Sequence, residues 1–256
     1  VVLPMLSPAL GGELIARFGF HSVFIVTAVM CVIILVFLSY QLPETLEEPV
    51  PFEGVQAMIL TYFSLFKSRI FCGYAFCVTF VSVVFFSFIA AAPEIMVSVL
   101  KRPATEYGYY FIIIPAGFMT GNYVARHFNK ALGLDRLIAL GAGIGVTGIC
   151  LALLLQLLGF DQPLALFLPI ALATFGNGIT LPNAQAAAIN EFPKLAGSAS
   201  GLTGFLQMGF SAVAAQFVAV IYNGTVYPLL LLMLSALIAS LLFFRWGLAN
   251  KGKIVS

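Results

Sequence analysis

The sequence predicts an all-α fold, a polytopic bundle of helices threaded through a lipid bilayer, and three observations carry that prediction. The 256 residues are 61% hydrophobic and only 9% charged, with a mean hydropathy of +1.07. A soluble domain carries about 25% charged residues, so this chain has too little polar material to cover a water-facing surface. The few charges are also clustered: the windows 70–93, 137–160, 162–190 and 195–244 hold no Asp, Glu, Lys or Arg. A bilayer-spanning helix needs about 20 mostly apolar residues, and these windows supply several in series. Thirdly, the windows lack the polar–apolar alternation of a membrane barrel. Backbone groups in lipid must pair within the segment, so the spans are helices.

Taken in order, residues 1–14 read as the end of a helix. The chain opens Val1-Val2-Leu3-Pro4 inside an apolar segment, without Met or a signal-peptide pattern, and is expected to be an N-terminally truncated piece of a longer protein. Full spans follow at 21–42, 70–92, 106–125, 136–158, 163–189, 198–222 and 227–246. The uncharged run 195–244 must hold two of them, with Tyr222-Asn223-Gly224-Thr225 as the turn between. The longest hydrophilic stretch, 43–69, opens Pro43-Glu44-Thr45. In it Val55, Met58, Ile59, Tyr62, Phe63 and Phe66 recur at helical spacing. An amphipathic helix on the inner membrane surface and a solvated linker with one ordered turn both account for that pattern.

The expected organisation is therefore 1–42, the end of a first bundle; 43–69, a linker; 70–246, a six-helix bundle; and 247–256, a tail. A faint internal repeat at an offset of 204, with Ser7 over Ser211 and His21 over Thr225, agrees with two related bundles. Alternate loops carry Lys and Arg unequally. One set holds nine (Lys67, Arg69, Arg126, Lys130, Arg136, Lys194, Arg245, Lys251, Lys253) and the other three (Arg17, Lys101, Arg102), which puts the first set and the C-terminus in the cytoplasm.

Several function classes are excluded. A net charge of +2 gives no reason to expect nucleic acid or an acidic partner. Cys31, Cys72, Cys77 and Cys150 all lie in apolar windows with no metal-ligand or disulfide spacing. His21 and His127 are isolated in loops, and no phosphate-binding loop, catalytic triad or zinc pattern occurs. The chain is expected not to be an enzyme and to need no cofactor and no metal.

The densest motif is Pro4-Met5-Leu6-Ser7-Pro8-Ala9-Leu10-Gly11-Gly12. Prolines and paired glycines loosen a helix and let neighbours approach closely, which an ordinary kinked packing helix also does. A second run is Asn183-Ala184-Gln185 through Glu191-Phe192-Pro193-Lys194-Leu195-Ala196-Gly197-Ser198-Ala199-Ser200-Gly201, where Pro193 ends one helix and small residues open the next. A third is Glu106-Tyr107-Gly108-Tyr109-Tyr110-Phe111.

On these residues the chain resembles the major facilitator superfamily. The first motif is similar to the G-P-x-x-G-G signature of the fifth helix of its antiporters, with Ser7 in place of the first glycine. The second and third, with Pro43-Glu44-Thr45, resemble the bicyclomycin/chloramphenicol-resistance (Bcr/CflA) drug–proton antiporters. The resemblance implies that Pro4, Ser7, Pro8, Gly11 and Gly12 seal two bundles together. It also implies that the loop from Gly121 to Lys130 is an inner gate, matched at Gly121, Arg126 and Lys130 but carrying Ala125 where the family has an acid. It further implies proton-driven export of small, hydrophobic, drug-like compounds by a monomer in the bilayer of a bacterial inner membrane.

Export of an endogenous metabolite and a nontransporting scaffold or receptor remain open alternatives. No charge sits at mid-membrane depth: Glu13 and Glu94 fall at outer helix ends. The resemblance implies that the coupling acid lies on helices outside this chain. By analogy with that fold, substrate contacts are expected among the uncharged polar and aromatic groups, foremost Asn177 and Gln207, with Tyr74, Tyr110 and Asn183. Helix-to-helix hydrogen bonding explains each of them equally well.

Overall fold

The computed structural model describes residues 11, 14–15, 17–41 and 54–249. They form helices joined by short turns, with no strand among the described residues. The chain divides into two compact units, Val1–Ala57 and Met58–Ser256.

In the first unit, α1 (His21–Gln41) is apolar from end to end and none of its residues is buried. The turn before it closes at Gly19, whose φ of +78° suits a residue without Cβ and whose N–H donates to the Ile15 carbonyl at 2.9 Å. The Ser22 hydroxyl then ties the start of α1 to the Gly19 carbonyl at 2.6 Å. Pro4, Ser7, Pro8 and Gly12 of the proline–glycine motif lie outside the described residues; Gly11 is helical.

The second unit begins within α2 (Val55–Lys67), which is helical as the first of the two linker readings expects. Its buried anchor is Leu65, fully enclosed, which is absent from the apolar set read from spacing. Met58, Ile59, Phe63 and Phe66 face outward. Next comes α3 (Arg69–Glu94), capped by Ser68, whose Oγ accepts the Phe71 N–H at 3.2 Å. Pro93 removes an N–H near the end of α3, and the chain widens into a π-turn over Ile95–Val99.

The window 106–125 carries one interruption: at Ile112, whose backbone angles stay helical (φ −54°, ψ −32°), the hydrogen-bond ladder lapses between α4 (Ala104–Phe111) and α5 (Ile113–Leu132). Pro115 is the cause: it has no N–H for the Phe111 carbonyl and its ring crowds that oxygen. The remaining spans follow as α6 (Leu134–Leu157), α7 (Pro163–Asn190), α8 (Ala196–Ile221) and α9 (Tyr227–Leu248). The α8–α9 turn falls on Tyr222–Thr225, where Asn223 Oδ1 accepts both the N–H and the hydroxyl of Thr225 at 3.2 and 2.6 Å. Six helices among the described residues are long and apolar enough to cross a membrane. The chain is an all-α, polytopic membrane bundle.

Lipid tails are as apolar as Leu, so close packing and interhelical hydrogen bonds, rather than apolar burial, hold such helices together. One core half gathers Phe88, Ile114, Phe167, Met233 and Leu237. The other gathers Leu65, Phe71, Ile138, Ala184 and Phe244. Hydroxyl groups stitch neighbouring helices: Thr174 Oγ1 donates to the Ile114 carbonyl across α7–α5 at 3.0 Å, and Ser240 Oγ to the Cys77 carbonyl across α9–α3 at 3.2 Å.

Candidate functional site

The chemistry inside the second unit is uncharged. Gln207, half-buried on α8, donates from Nε2 to Ser82 Oγ on α3 at 2.5 Å, and Ser82 in turn donates to the Val78 carbonyl at 3.0 Å. Asn177, between Gly176 and Gly178 on α7, is 2% exposed, and neither atom of its amide has a hydrogen-bond partner. Its Oδ1 points toward α6, where a Cβ on Gly145 would sit 3.6 Å away. An orphaned buried amide costs about 1–3 kcal/mol, so this one marks a place where a polar guest gains most. Ser87 and Ser211 carry hydroxyls that are buried and unpartnered in the same way.

The other sequence-predicted groups are engaged. Tyr74 is buried on α3 and its hydroxyl donates to Asp135 Oδ1 on α6 at 2.5 Å, which joins the two helices near their shared end. Asn183 is also buried and donates to the Ile179 carbonyl of its own helix at 2.6 Å. Tyr110, half-buried on α4, lies against the Phe167 ring at 5.6 Å. Gln207 and Ser82 are thus brought together, while Tyr74, Asn177, Asn183 and Tyr110 each face a different neighbour. On α3 and α9, Phe80 stacks on Phe243 at 5.6 Å and meets Phe210 edge-on at 5.8 Å.

On α5, Gly121 is buried so tightly that a Cβ would sit 2.0 Å from the Phe175 carbonyl oxygen, whereas Arg126 and Lys130 are exposed. Ala125 is 3% exposed in a small apolar cluster with Leu137 and Ile179. An acid at that position would be desolvated among apolar side chains. Sequence reasoning missed Ser82, Ser87, Ser211 and Asp135. The serines carry no signal in an apolar window, and Asp135 is masked by Arg136 beside it. No group of three metal-ligating side chains occurs among the described residues.

A stack of apolar spans whose interior holds amides, hydroxyls and aromatic rings is a polytopic membrane bundle with polar groups between its helices. Residues 1–216 match the sequence profile of the Major Facilitator Superfamily, and the chain belongs to that family. Among curated relatives, the chain is 24% identical over 248 residues to a bicyclomycin resistance protein homolog of Haemophilus influenzae, covering 95% of this chain and 61% of that protein. It is 28% identical over 226 residues to multidrug resistance protein D of Escherichia coli, with 86% and 55% covered. It is 26% identical over 180 residues to the chloramphenicol resistance protein CraA of Acinetobacter baumannii, with 70% and 43% covered. The chain thus spans about three-fifths or less of the length of these relatives. Their names agree with the drug-resistance resemblance read from residues 183–201.

Proposed function

We propose that the intact protein is a proton-coupled exporter of small hydrophobic antibiotic-like compounds in a bacterial inner membrane, with its C-terminus in the cytoplasm. The observation that carries this reading is the interior just described, taken with resistance transporters as relatives. Buried amides, hydroxyls and phenyl rings suit a neutral, apolar guest and offer nothing to a strongly charged one.

In this reading residues 1–42 end the first bundle, 43–69 link the bundles inside the cell, 70–246 form the second bundle and 247–256 a cytoplasmic tail. The nine-to-three Lys and Arg asymmetry supports that sidedness. Asn177 and Gln207 are the proposed polar contacts, and Tyr110 an aromatic neighbour. Tyr74 and Asn183 serve by holding α3 and α7, since their hydrogen bonds are already committed. Pro4, Ser7, Pro8, Gly11 and Gly12 seal the bundles, and Gly121, Arg126 and Lys130 form the inner gate. The working unit is a monomer. Rocking of the two bundles about a midplane site delivers the guest, and protons supply the drive through an acid outside this chain.

The test is expression of the full-length protein in an efflux-deficient host, with growth measured against a broad panel including chloramphenicol, and dye uptake by inverted vesicles with and without a protonophore. Raised resistance and protonophore-sensitive uptake are expected. Uptake that ignores the proton gradient refutes the coupling, and no shift across the panel favours export of an endogenous metabolite.

A further inference from the structure

Three cavities run end to end along the seam between α8 and α9. The first, about 150 Å³, lies where α3 ends and is lined by Ala90, Glu94, Val218, Tyr222 and Pro228 among others. The second, about 450 Å³, shares Pro228 with it and continues past Phe217 and Leu231. The third, about 370 Å³, shares Phe217, Leu232 and Ser235 with the second and reaches Phe80 and Val83 on α3. At about 1.5 Å per helical residue, the course from Pro228 to Ala239 is about 16 Å long, enough for a detergent-length alkyl chain.

The two ends of this groove differ in kind. Asn223 and Tyr227 line the near part of the second cavity, and beyond them the groove is apolar except for Ser235, whose hydroxyl is turned to the Leu232 carbonyl at 2.8 Å. Its mouth carries a carboxylate and a phenol. Glu94 is exposed and takes one hydrogen bond from Ser98 Oγ, which leaves acceptor capacity on the carboxylate. The Tyr222 hydroxyl is buried and has no hydrogen-bond partner. Lys101 and Arg102, in the loop beyond the π-turn, do not line the mouth.

The geometry points to a binding site for a primary alkylammonium amphiphile, its head held by Glu94 and Tyr222 and its tail laid along the α8–α9 seam. An ammonium head gives the carboxylate a charge-assisted bond and donates a second N–H to the Tyr222 oxygen. A head whose only charge is phosphate is repelled by Glu94, which selects against an anionic phospholipid as the resident. A quaternary ammonium keeps the charge but has no N–H for Tyr222.

The experiment is equilibrium binding of radiolabelled dodecylamine, protonated at neutral pH, to the protein in phosphatidylcholine nanodiscs. Saturable binding is expected. Glu94→Gln should weaken it about tenfold and Tyr222→Phe about threefold, as loss of a charged and a weaker hydrogen bond predict. Dodecyltrimethylammonium should bind less tightly than the primary amine to the native protein, and that difference should narrow in Tyr222→Phe, where only the Glu94 bond still favours the primary amine. Unsaturable partitioning that is the same in Glu94→Gln overturns the site, as does an undiminished preference for the primary amine in Tyr222→Phe. Displacement by phosphatidylethanolamine, whose head carries the same ammonium, would hand the seam to lipid and overturn it too. Circular dichroism melting of both variants shows that the fold is kept. The assay reads binding rather than transport, so it can fail while the export reading stands, and the reverse.

Discussion

The helices α7 and α8 are both long, apolar and rich in small residues, yet they use their glycines in opposite ways. On α7, and at Gly117 and Gly121 of α5 and Gly141 and Gly148 of α6, the place of a Cβ is filled by a neighbouring helix's backbone. A Cβ on Gly178 would sit 2.2 Å from the Phe118 carbonyl oxygen, on Gly176 2.3 Å from that of Gly141, and on Gly117 2.5 Å from that of Ala171. On α8, Gly197 and Gly204 meet nothing within 4 Å and Gly201 meets only the Tyr62 hydroxyl, at 3.9 Å. Burial follows the same division: 67% of the apolar window of α7 is buried against 22% of the window leading into α8. The same residue type therefore welds α5, α6 and α7 into one block while leaving a side of α8 bare. Composition alone does not distinguish the two uses; the register of the neighbouring helix does.

The largest expected effect lies in the welded block. Gly121→Val places a branched side chain where even a Cβ is 2.0 Å from backbone, so α5 and α7 must separate. Overpacking of that kind costs more than about 3 kcal/mol. The expected outcome is loss of the folded protein from membranes and a collapsed melting transition in detergent. A variant that melts within a few degrees of the native protein would show that the block is looser than its geometry implies.

Next in size is the link that carries α8. Apart from its packing, α8 is tied to α3 by the Gln207–Ser82 bond between residues 125 apart in sequence. A double-mutant cycle with Gln207→Leu and Ser82→Ala, read by unfolding in mixed micelles, should give a coupling of about 1 kcal/mol. Zero coupling would leave α8 held by packing alone. Asn177→Leu has the opposite expected sign. Removing an amide that satisfies no partner should raise stability by about 1 kcal/mol, while weakening export by the full-length protein. A fall in melting temperature would mean that the amide is paired in the folded protein.

This contrast also marks what was legible in the sequence. Charge-free windows located α1, α3, α6, α7, α8 and α9 to within a few residues, because lipid demands length and low charge before it demands anything else. The Asn223–Gly224 turn was legible for the same reason: in a long apolar run it is the one place where the backbone is offered side-chain partners. The interruption at Ile112 was missed because hydropathy averages over Pro115. The π-turn after Pro93 was missed in the same way. The pairing of Gly121 with Phe175, or of Gln207 with Ser82, depends on which helices become neighbours and in what register, and periodicity within one helix holds no record of that. Asn177 was legible as an uncharged polar group in a charge-free window. Its lack of a partner is a property of the packing around it.

The smallest effect is expected on the bare side of α8, and it is the sharpest test of the comparison. Gly201→Ala adds a methyl group that meets only the Tyr62 hydroxyl at van der Waals distance, and Ala favours helix over Gly by about 1 kcal/mol. Stability of the described bundle should therefore stay the same or rise slightly, against the collapse expected for Gly121→Val. Gly197, Gly201 and Gly204 recur at i, i+4 and i+7, so they share one side of the helix, and a flat strip of this kind admits another helix's backbone at close range. If a further helix of the full-length protein uses it, Gly201→Leu should leave melting of this bundle intact and stop transport. Should Gly201→Ala melt as low as Gly121→Val, the strip is already filled by this bundle's own backbone, and the division between welded and bare glycines is lost.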